Sequence, residues 1–328
     1  MRVGLALACA LLLSTAALAD PVPELRLVSG HAVAGMHGGN LSGLAQCGGE
    51  LWTVSDRDDD QIYRLDTLQD PWQAAAVHID VPVVPASGLP WSLSSRSWAA
   101  SFVRGGDLDF EGITCDNAGN RYIVSESHAA VLQVPPTGPA SWLNIAPRLV
   151  REARAGGMLL RFNALFEGLA VNPQGDQLWL AAERDRRGLL LIKRGATQWD
   201  CDGNCVLLSE GGKRAQPPQF HHARPVSLDF ADLSLFNGKL FTLERNAYEI
   251  CRRDATTAKV ERCWSYAAEL LQDDRRYPQD YGLEEALVVD ATGVWIGVDN
   301  NTGARVDGEV RPFIWRFAAP EGGWGGKS

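Results

Sequence analysis

Three glutamates of this chain stand in nearly the same local setting and could act together. Glu111 and Glu167 each follow a phenylalanine and precede a glycine, and Glu285 precedes an alanine in a related stretch. A fourth stretch has Asp232 one place later. Carboxylates gathered without a counter-ion repel each other and raise each other's pKa. A divalent cation relieves that repulsion, and oxygen-only ligands select calcium or magnesium over zinc. We therefore hypothesise a calcium ion bound by some of Glu111, Glu167, Asp232 and Glu285.

Three arginines, Arg57, Arg184 and Arg245, each directly follow the acid that ends a short apolar stretch. A guanidinium group recognises phosphate through two parallel hydrogen bonds, so a phosphate ester could dock on these side chains beside a metal ion. The ion would polarise the phosphoryl oxygen and lower the pKa of a bound water. The candidate catalytic residues are therefore Glu111, Glu167, Glu285, Arg57, Arg184 and Arg245.

Both sets of residues also have a purely structural interpretation. Buried carboxylates need a partner, but backbone N–H groups of neighbouring strands can serve as well as a metal. Likewise, the arginines could form ordinary ion pairs at the surface or between units of the fold, which are common and weak.

The elements that must position these residues are repeated along the chain. One phrase occurs five times, as a short apolar strand, a turn rich in Gly, Asn and Asp, and a second strand that ends in an acid. The copies begin near residues 41, 110, 166, 230 and 283, and their closing acids are Asp56, Glu126, Glu183, Glu244 and Asp299. Strand–turn–strand units at such a period predict an all-β fold, a β-propeller. Five blades are favoured over six, and residues 23–34 and 312–318 are the strands expected to close the ring by pairing.

A propeller also explains why the acids would meet. The first strand of each blade lines the central channel, so carboxylates far apart in the sequence converge there. Four residues before each closing acid stands a large apolar side chain on the same face of the strand. These side chains are expected to pack between blades, with stacking on carbohydrate as the alternative, and they are Trp52, Tyr122, Trp179, Leu240 and Trp295. Helices are expected only as short insertions, at residues 143–156 and 266–274.

The N-terminal stretch predicts export. A charged head of Met1 and Arg2 precedes an apolar run over residues 3–13, and Ala17, Leu18 and Ala19 end the segment. This pattern is typical of a secretory signal peptide over residues 1–19, which is too short to span a membrane. We expect cleavage after Ala19, a periplasmic or secreted protein, and one domain over residues 20–328.

Six cysteines would remain after the signal peptide is removed. An even number in an exported chain favours disulfides, and a zinc site is disfavoured because the CxxxC spacing has no second ligand pair. A tight turn and a hairpin-like turn predict two local bridges, and the third follows by elimination. The expected pairs are Cys201 with Cys205, Cys251 with Cys263, and Cys47 with Cys115.

Charge and motifs narrow the class of partner. The 328 residues carry a net charge of −9, from 31 Lys+Arg against 40 Asp+Glu, without any run rich in basic residues. Nucleic acid or an anionic membrane surface is therefore an unlikely partner, and we expect a monomer. There is no GxSxG, GxGxxG or P-loop motif. His221 and His222 could serve as acid or base, but a solvated loop is the simpler expectation.

The phrases carry a family resemblance. FEGI at residues 110–113, FEGL at 166–169, LSGL at 41–44 and VDNN at 298–301, in this order and spacing, resemble the phytase-like β-propeller family, described as having esterase-like activity of phytase. The resemblance extends over residues 41–317. It implies an exported bacterial β-propeller that hydrolyses a small-molecule ester or phosphate ester, in a superfamily that often holds calcium in its channel. The chain departs from the pattern at Ala231–Asp232 and at Glu285–Ala286.

The sequence is also compatible with two other functions. One is a non-catalytic propeller that binds a small ligand or an envelope protein. The other is a sugar-lactone type of propeller hydrolase or dehydrogenase, which shares the channel glutamates but here lacks a clear pair of catalytic histidines. Fold and family do not by themselves fix the chemistry.

Overall fold

The repeated phrases form the first two strands of each of five antiparallel blades.

The computed structural model of the chain describes residues 22–37, 39–86, 88–96, 106–220, 224–301 and 303–326. The predicted signal peptide, Cys9, His221 and His222 lie outside these residues. Blade 1 contains β2 (Gly43–Cys47), β3 (Glu50–Val54), β4 (Gln61–Asp66) and β5 (Trp72–His78). Blade 2 contains β6 (Phe110–Cys115), β7 (Arg121–Ser125), β8 (Ala130–Val134) and β9 (Ser141–Trp142).

The remaining blades follow in chain order. Blade 3 contains β10 (Phe166–Val171), β11 (Gln177–Ala182), β12 (Arg186–Arg194), β13 (Trp199–Asp200) and β14 (Val206–Gly211), and a hairpin of β15 (Lys213–Ala215) and β16 (Pro225–Ser227) follows it. Blade 4 contains β17 (Asp232–Phe236), β18 (Lys239–Glu244), β19 (Glu249–Asp254) and β20 (Val260–Ser265). Blade 5 contains β21 (Glu284–Val289), β22 (Gly293–Val298), β23 (Phe313–Ala318) and, as its outermost strand, β1 (Leu27–Ala34).

The five inner strands close into a ring. Each of β2, β6, β10, β17 and β21 contacts the next, and β21 contacts β2 again. The N-terminal strand β1 pairs antiparallel with β23, from Leu27 opposite Phe317 to Ala32 opposite Phe313. Its last residues pair parallel with the outer strand of blade 1, Val33 opposite Trp72. The expected five-bladed propeller, closed by strands from the two ends of the chain, is confirmed.

Glycine follows the glutamate because the inner strands approach very closely. A Cβ atom on Gly112 would lie 2.9 Å from the backbone oxygen of Glu167, and one on Gly168 would lie 2.6 Å from the Cα of Asp232. Real Cβ atoms do not come this near to a backbone, so three of the five blades carry glycine here. Blade 4 carries Asp232 and blade 5 carries Ala286 at this position, and these are the two departures from the phrase.

The core is divided among the blade interfaces. The first residue of the phrase is fully buried in blades 2, 3 and 4, as Phe110, Phe166 and Phe230. The second-strand positions expected to pack between blades are buried in blades 1 to 4 and only partly buried in blade 5, where the residue is Trp295.

The helices are short, as expected. They are α1 (Arg148–Ala155) and α2 (Ala267–Leu270), with a helical stretch at residues 91–96 and a 3-10 turn at Arg245–Ala247. Within the described ranges, no helix has the length and apolar character needed to cross a membrane.

All three expected disulfides are formed. Cys47 and Cys115, whose Cα atoms are 5.9 Å apart, join the inner strand of blade 1 to that of blade 2. The other bridges are local, with a sequence separation of 4 for Cys201–Cys205 and 12 for Cys251–Cys263. The long bridge therefore ties two blades together, whereas the short ones fix single turns.

Removing the bridge between blades should cost more stability than removing a local one. In the chain-entropy view a cross-link stabilises by restricting the unfolded chain, and the restriction grows with loop length. The double variant Cys47→Ser/Cys115→Ser should lose about 2 kcal/mol more unfolding free energy than Cys201→Ser/Cys205→Ser. Urea denaturation followed by tryptophan fluorescence measures both losses. Equal losses in the two variants would contradict the prediction.

Candidate active site at the channel mouth

A cavity of about 560 Å³ opens at one end of the central channel, which we call the mouth. Its lining is dominated by charged groups, with seven carboxylates against three guanidinium groups. The carboxylates belong to Asp56, Glu111, Glu126, Glu167, Glu183, Glu285 and Asp299, and the guanidinium groups to Arg57, Arg184 and Arg245. All six candidate catalytic residues from the sequence therefore line one cavity.

Antiparallel pairing explains why these residues meet. The start of each inner strand lies opposite the end of the second strand, as in Phe110 opposite Ser125 and Phe166 opposite Ala182. A glutamate near the start of the first strand and an acid just after the second therefore reach the same end of the blade. The described residues that connect one blade to the next also begin and end at this end, and they belong to the stretches 79–109, 143–165, 212–231 and 266–283.

An irregularity in the strand pairing occurs at each of the three channel glutamates. The register shifts between Phe110 and Gly112, between Phe166 and Gly168, and between Glu284 and Ala286. The inner strands of blades 1 and 4 show no such shift. An extra residue in one strand bends it and re-aims a side chain, a feature enriched next to active sites. Glu111, Glu167 and Glu285 thus owe their place in the cavity to these bulges.

The carboxylates form two groups whose oxygens lie within 4.8 Å of one another. One group is Asp56, Asp109 and Glu111, and the other is Glu126, Glu167 and Glu183. Burial, reinforced by the negative charge of Glu167, raises the pKa of Glu111 well above its usual value. Glu285 is affected in the same way, although Arg245 opposes the shift. Burial and the charge of Asp56 raise the pKa of Asp299 to about 7.

Arg245 is the cation at the centre of the cavity. It forms ion pairs with Glu183 and Glu285, and its Nε lies 3.0 Å from Asp229. Burial alone would lower the pKa of this guanidinium, but Glu285 and Asp229 more than offset it and the pKa is raised. Arg245 therefore stays charged and holds acids of three blades together.

The other two arginines differ in how far they are engaged. Arg184 donates to Glu183 and to the carbonyl oxygen of Asn163. Arg57 lies 4.0 Å from Asp56, and its Nε has no hydrogen-bond partner within the described part of the chain. Of the three guanidinium groups, Arg57 is thus the one most able to receive an anion.

Blade 4 contributes its acids to other partners. The carboxylate of Asp232 accepts hydrogen bonds from the backbone N–H groups of Leu233 and Leu287, both at 2.7 Å, and the side chain is not part of the cavity lining. Burial favours the protonated form of Glu244, but Arg187 and Arg253, each at 2.7 Å, lower its pKa. Both carboxylates therefore bind groups of the fold, and the inner strand of this blade has neither the bulge nor a glutamate in register.

The donor set fits a hard divalent cation. All side-chain ligands offered by the two carboxylate groups are oxygens, which calcium and magnesium prefer. Glu183 is fully buried, and its Oε2 has no hydrogen-bond partner in the described ranges, whereas Oε1 accepts from Arg184 and Arg245. The excess of carboxylates over guanidinium groups also leaves negative charge for a cation to neutralise.

Part of the lining was not singled out from the sequence. The closing acids were visible as a pattern, and their position just after the second strand was a usable signal for Asp56, Glu126, Glu183 and Asp299. Asn163 and Tyr281 come from connections between blades, which do not repeat, so no pattern in the sequence could have identified them.

Comparison with known proteins supports the family resemblance. A family model described as "Phytase-like: Esterase-like activity of phytase" matches residues 37–204, which cover the first two blades and the third up to the strand β14. No curated protein matches the chain.

Solved structures with a similar chain trace are distant in sequence. Glutaminyl cyclase from Myxococcus xanthus shares 11% identity, with a TM-score of 0.48 over 90% of this chain and 97% of that one. A streptogramin B lyase shares 9% identity, with a TM-score of 0.44 over 88% and 97% of the two chains. The PQQ-bound aldose sugar dehydrogenase from Streptomyces coelicolor shares 13% identity, with a TM-score of 0.44 over 91% and 100%.

The buried acids predict how stability depends on pH in the presence of a chelator. Folding raises the pKa of Asp299 from 3.8 to about 7 and that of Glu284 from 4.5 to about 8. Between these limits the folded state binds more protons than the unfolded state, so the unfolding free energy should fall as pH rises from about 4 to about 8. Urea denaturation in EDTA across this range measures the slope.

The variant Asp299→Asn keeps the shape of the side chain and removes its proton. It should therefore be less sensitive to pH between about 4 and 7 than the unmodified protein, since one group no longer takes up a proton on folding. A slope unchanged by this substitution would contradict the assignment of Asp299 as a proton-binding group.

Proposed function

The chain belongs to the phytase-like family described as having esterase-like activity of phytase, and from that premise we propose that it is an exported hydrolase of phosphate or other esters assisted by a calcium ion. The observation that carries the proposal is the cavity at the mouth, where carboxylates of four blades meet beside three arginines. Such a concave site with convergent charged groups of perturbed pKa is the usual setting of catalysis.

The carboxylates of blades 1 to 3 are the proposed cation ligands. Glu167, with Glu126 and Glu183 around it, offers three buried oxygen ligands, and Glu111 with its own neighbours lies next to this group. Glu285 and Asp232 would have to exchange their present partners, Arg245 and two backbone N–H groups, in order to join them. A bound calcium ion would supply Lewis-acid polarisation of a phosphoryl or carbonyl oxygen.

The arginines have distinct roles in the proposal. Arg57, the least engaged, binds the anionic oxygens of the substrate through its guanidinium group. Arg184 and Arg245 fix the orientation of Glu183 and Glu285 through their ion pairs. Held side chains need no reorganisation during the reaction, which is a large part of electrostatic catalysis.

Asp299 is the proposed proton carrier. A general acid or base works best when its pKa lies near the operating pH, and the pKa of Asp299 is about 7. Its carboxyl group lines the cavity, where it can take a proton from a water molecule or give one to a leaving-group oxygen. The sequence motif did not single out this residue as catalytic.

Export is part of the same proposal. The predicted signal peptide precedes the described residues, and the three disulfides are typical of a protein that folds in an oxidising compartment. The ester substrate would then be met in the periplasm or outside the cell.

The direct test is hydrolysis of p-nitrophenyl phosphate and p-nitrophenyl acetate, in EDTA and after calcium is added back. We expect at least one of them to be hydrolysed with calcium present. In Glu167→Gln and Glu111→Gln, kcat/KM should fall by about a hundredfold or more, because each loses a ligand charge at the cavity.

Glu321→Gln is the matched control, since it removes an exposed carboxylate of the C-terminal segment and should leave the rate unchanged. Circular dichroism and the calcium-induced shift in Tm check folding and cation binding separately. A folded protein that hydrolyses no phosphate ester, carboxyl ester or lactone would overturn the proposal and favour a propeller that only binds.

A further inference from the structure

A second and larger cavity lies at the opposite end of the blades from the mouth. Its volume is about 710 Å³, and it opens between blades 1 and 5. The turn between β2 and β3 and the hairpin between β4 and β5 form one side, and Trp295 and His31 form the other. The volume is within the range of about 300 to 1,000 Å³ that is usual for small-molecule sites.

The floor of this cavity is aromatic and held in place. The ring of His31 stacks on Trp72, with centroids 4.4 Å apart and planes 11° from parallel. Trp295 meets Trp72 edge to face at 5.3 Å, and the Arg316 guanidinium lies 4.6 Å from the Trp295 ring. Trp72 is only 4% exposed although it lines the cavity, so the floor is packed from below. Burial lowers the pKa of His31, which keeps its ring neutral at pH 7.

Trp295 is exceptional among its equivalents. In the other four phrases the side chain at the same position is buried, and the residues there are Trp52, Tyr122, Trp179 and Leu240. In blade 5 the side chain is only partly buried, and it lines the cavity. Trp295 therefore packs against the neighbouring blade with only part of its ring, and the rest of the ring faces the cavity.

The wall above the floor is polar and nearly balanced in charge. It carries two amides, two carboxylates and one guanidinium, from Gln46, Gln73, Glu50, Asp66 and Arg64. The Arg64 and Glu50 side chains form an ion pair at 3.2 Å, and each is about half exposed. Gln46 is exposed at the lip, while the Gln73 Nε2 donates to the carbonyl oxygen of Pro71. The cavity wall thus offers both hydrogen-bond donors and acceptors beside the aromatic side chains.

We infer that this cavity binds a neutral saccharide of one or two rings. An indole surface packs against the C–H face of a sugar ring, because an aromatic side chain offers a large apolar area with a defined shape. Amide, carboxylate and guanidinium groups together supply the mixed donors and acceptors that adjacent hydroxyl groups need. The wall carries no excess of positive charge, so an anionic ligand has no counterpart here.

The inference does not depend on the proposed hydrolase activity. The two cavities share no lining residue and lie at opposite ends of the blades. A saccharide site here would attach the protein to glycans or position it beside a sugar-containing substrate, whatever reaction occurs at the mouth.

The test is a titration with maltose, cellobiose and diacetylchitobiose, followed by tryptophan fluorescence and saturation-transfer NMR. We expect at least one disaccharide to bind saturably at one site in the millimolar range or tighter. Gln46→Ala should weaken that binding by about fivefold, as the loss of one hydrogen bond implies. Trp295→Leu should weaken it at least tenfold, and leucine is already present at the equivalent position of blade 4.

Two controls make the outcome decisive. Gln174→Ala removes an exposed glutamine at the same end of blade 3, and Glu111→Gln alters only the mouth, so both should bind as the unmodified protein does. Thermal unfolding confirms that Trp295→Leu is folded. The inference is overturned if no disaccharide binds at tens of millimolar, if binding is insensitive to Gln46→Ala and Trp295→Leu, or if Glu111→Gln abolishes it. Binding of indole without any saccharide would also overturn it, in favour of a planar aromatic ligand.

Discussion

The close approach of five inner strands around one axis determines the rest of this molecule. At that separation there is no room for a Cβ atom at Gly112 or Gly168, so glycine follows the glutamate in the phrase. The same crowding brings the strand ends together and forces carboxylates from different blades into one cavity. A wider ring would have tolerated side chains at the glycine positions, but it would have dispersed the charges.

The carboxylates gathered at the mouth repel one another, and the buried guanidinium group of Arg245 offsets part of this repulsion. Arg245 contacts Asp229, Glu183 and Glu285, and so it neutralises part of the charge of three blades. It does not neutralise all of it, and the raised pKa of Glu111 and Asp299 shows the remainder. This remaining negative charge makes a bound cation physically reasonable at the mouth. Burial and this charge together raise the pKa of Asp299, so that this carboxyl group titrates near neutral pH.

The two ends of the propeller are built by different parts of the chain. Long connections between blades surround the mouth, whereas tight hairpin turns form the opposite end. Ring closure adds a special feature at that second end, because β1 bonds to both blade 5 and blade 1 and carries His31 onto Trp72. The aromatic cleft between blades 1 and 5 is therefore a by-product of closure, and the equivalent Trp52 and Trp179 positions are buried instead.

The amino-acid sequence alone predicts the propeller, the number of its repeats, the closing strands and the three disulfides. The repeats and the two short disulfides follow from local signals, since a strand, a turn and an acid recur in order and cysteines flank recognisable turns, and the third disulfide follows by elimination. The six catalytic candidates from the sequence are all among the ten charged residues that line the mouth. Which side chains enter the cavity, in contrast, depends on how the strands pair in the folded chain. The bulges re-aim Glu111, Glu167 and Glu285, while Asp232, which the sequence grouped with them, turns to the backbone of blade 5. Such re-aiming depends on the pairing between strands, and contributions such as Tyr281 depend on non-repeating connections, so neither leaves a periodic trace in the sequence.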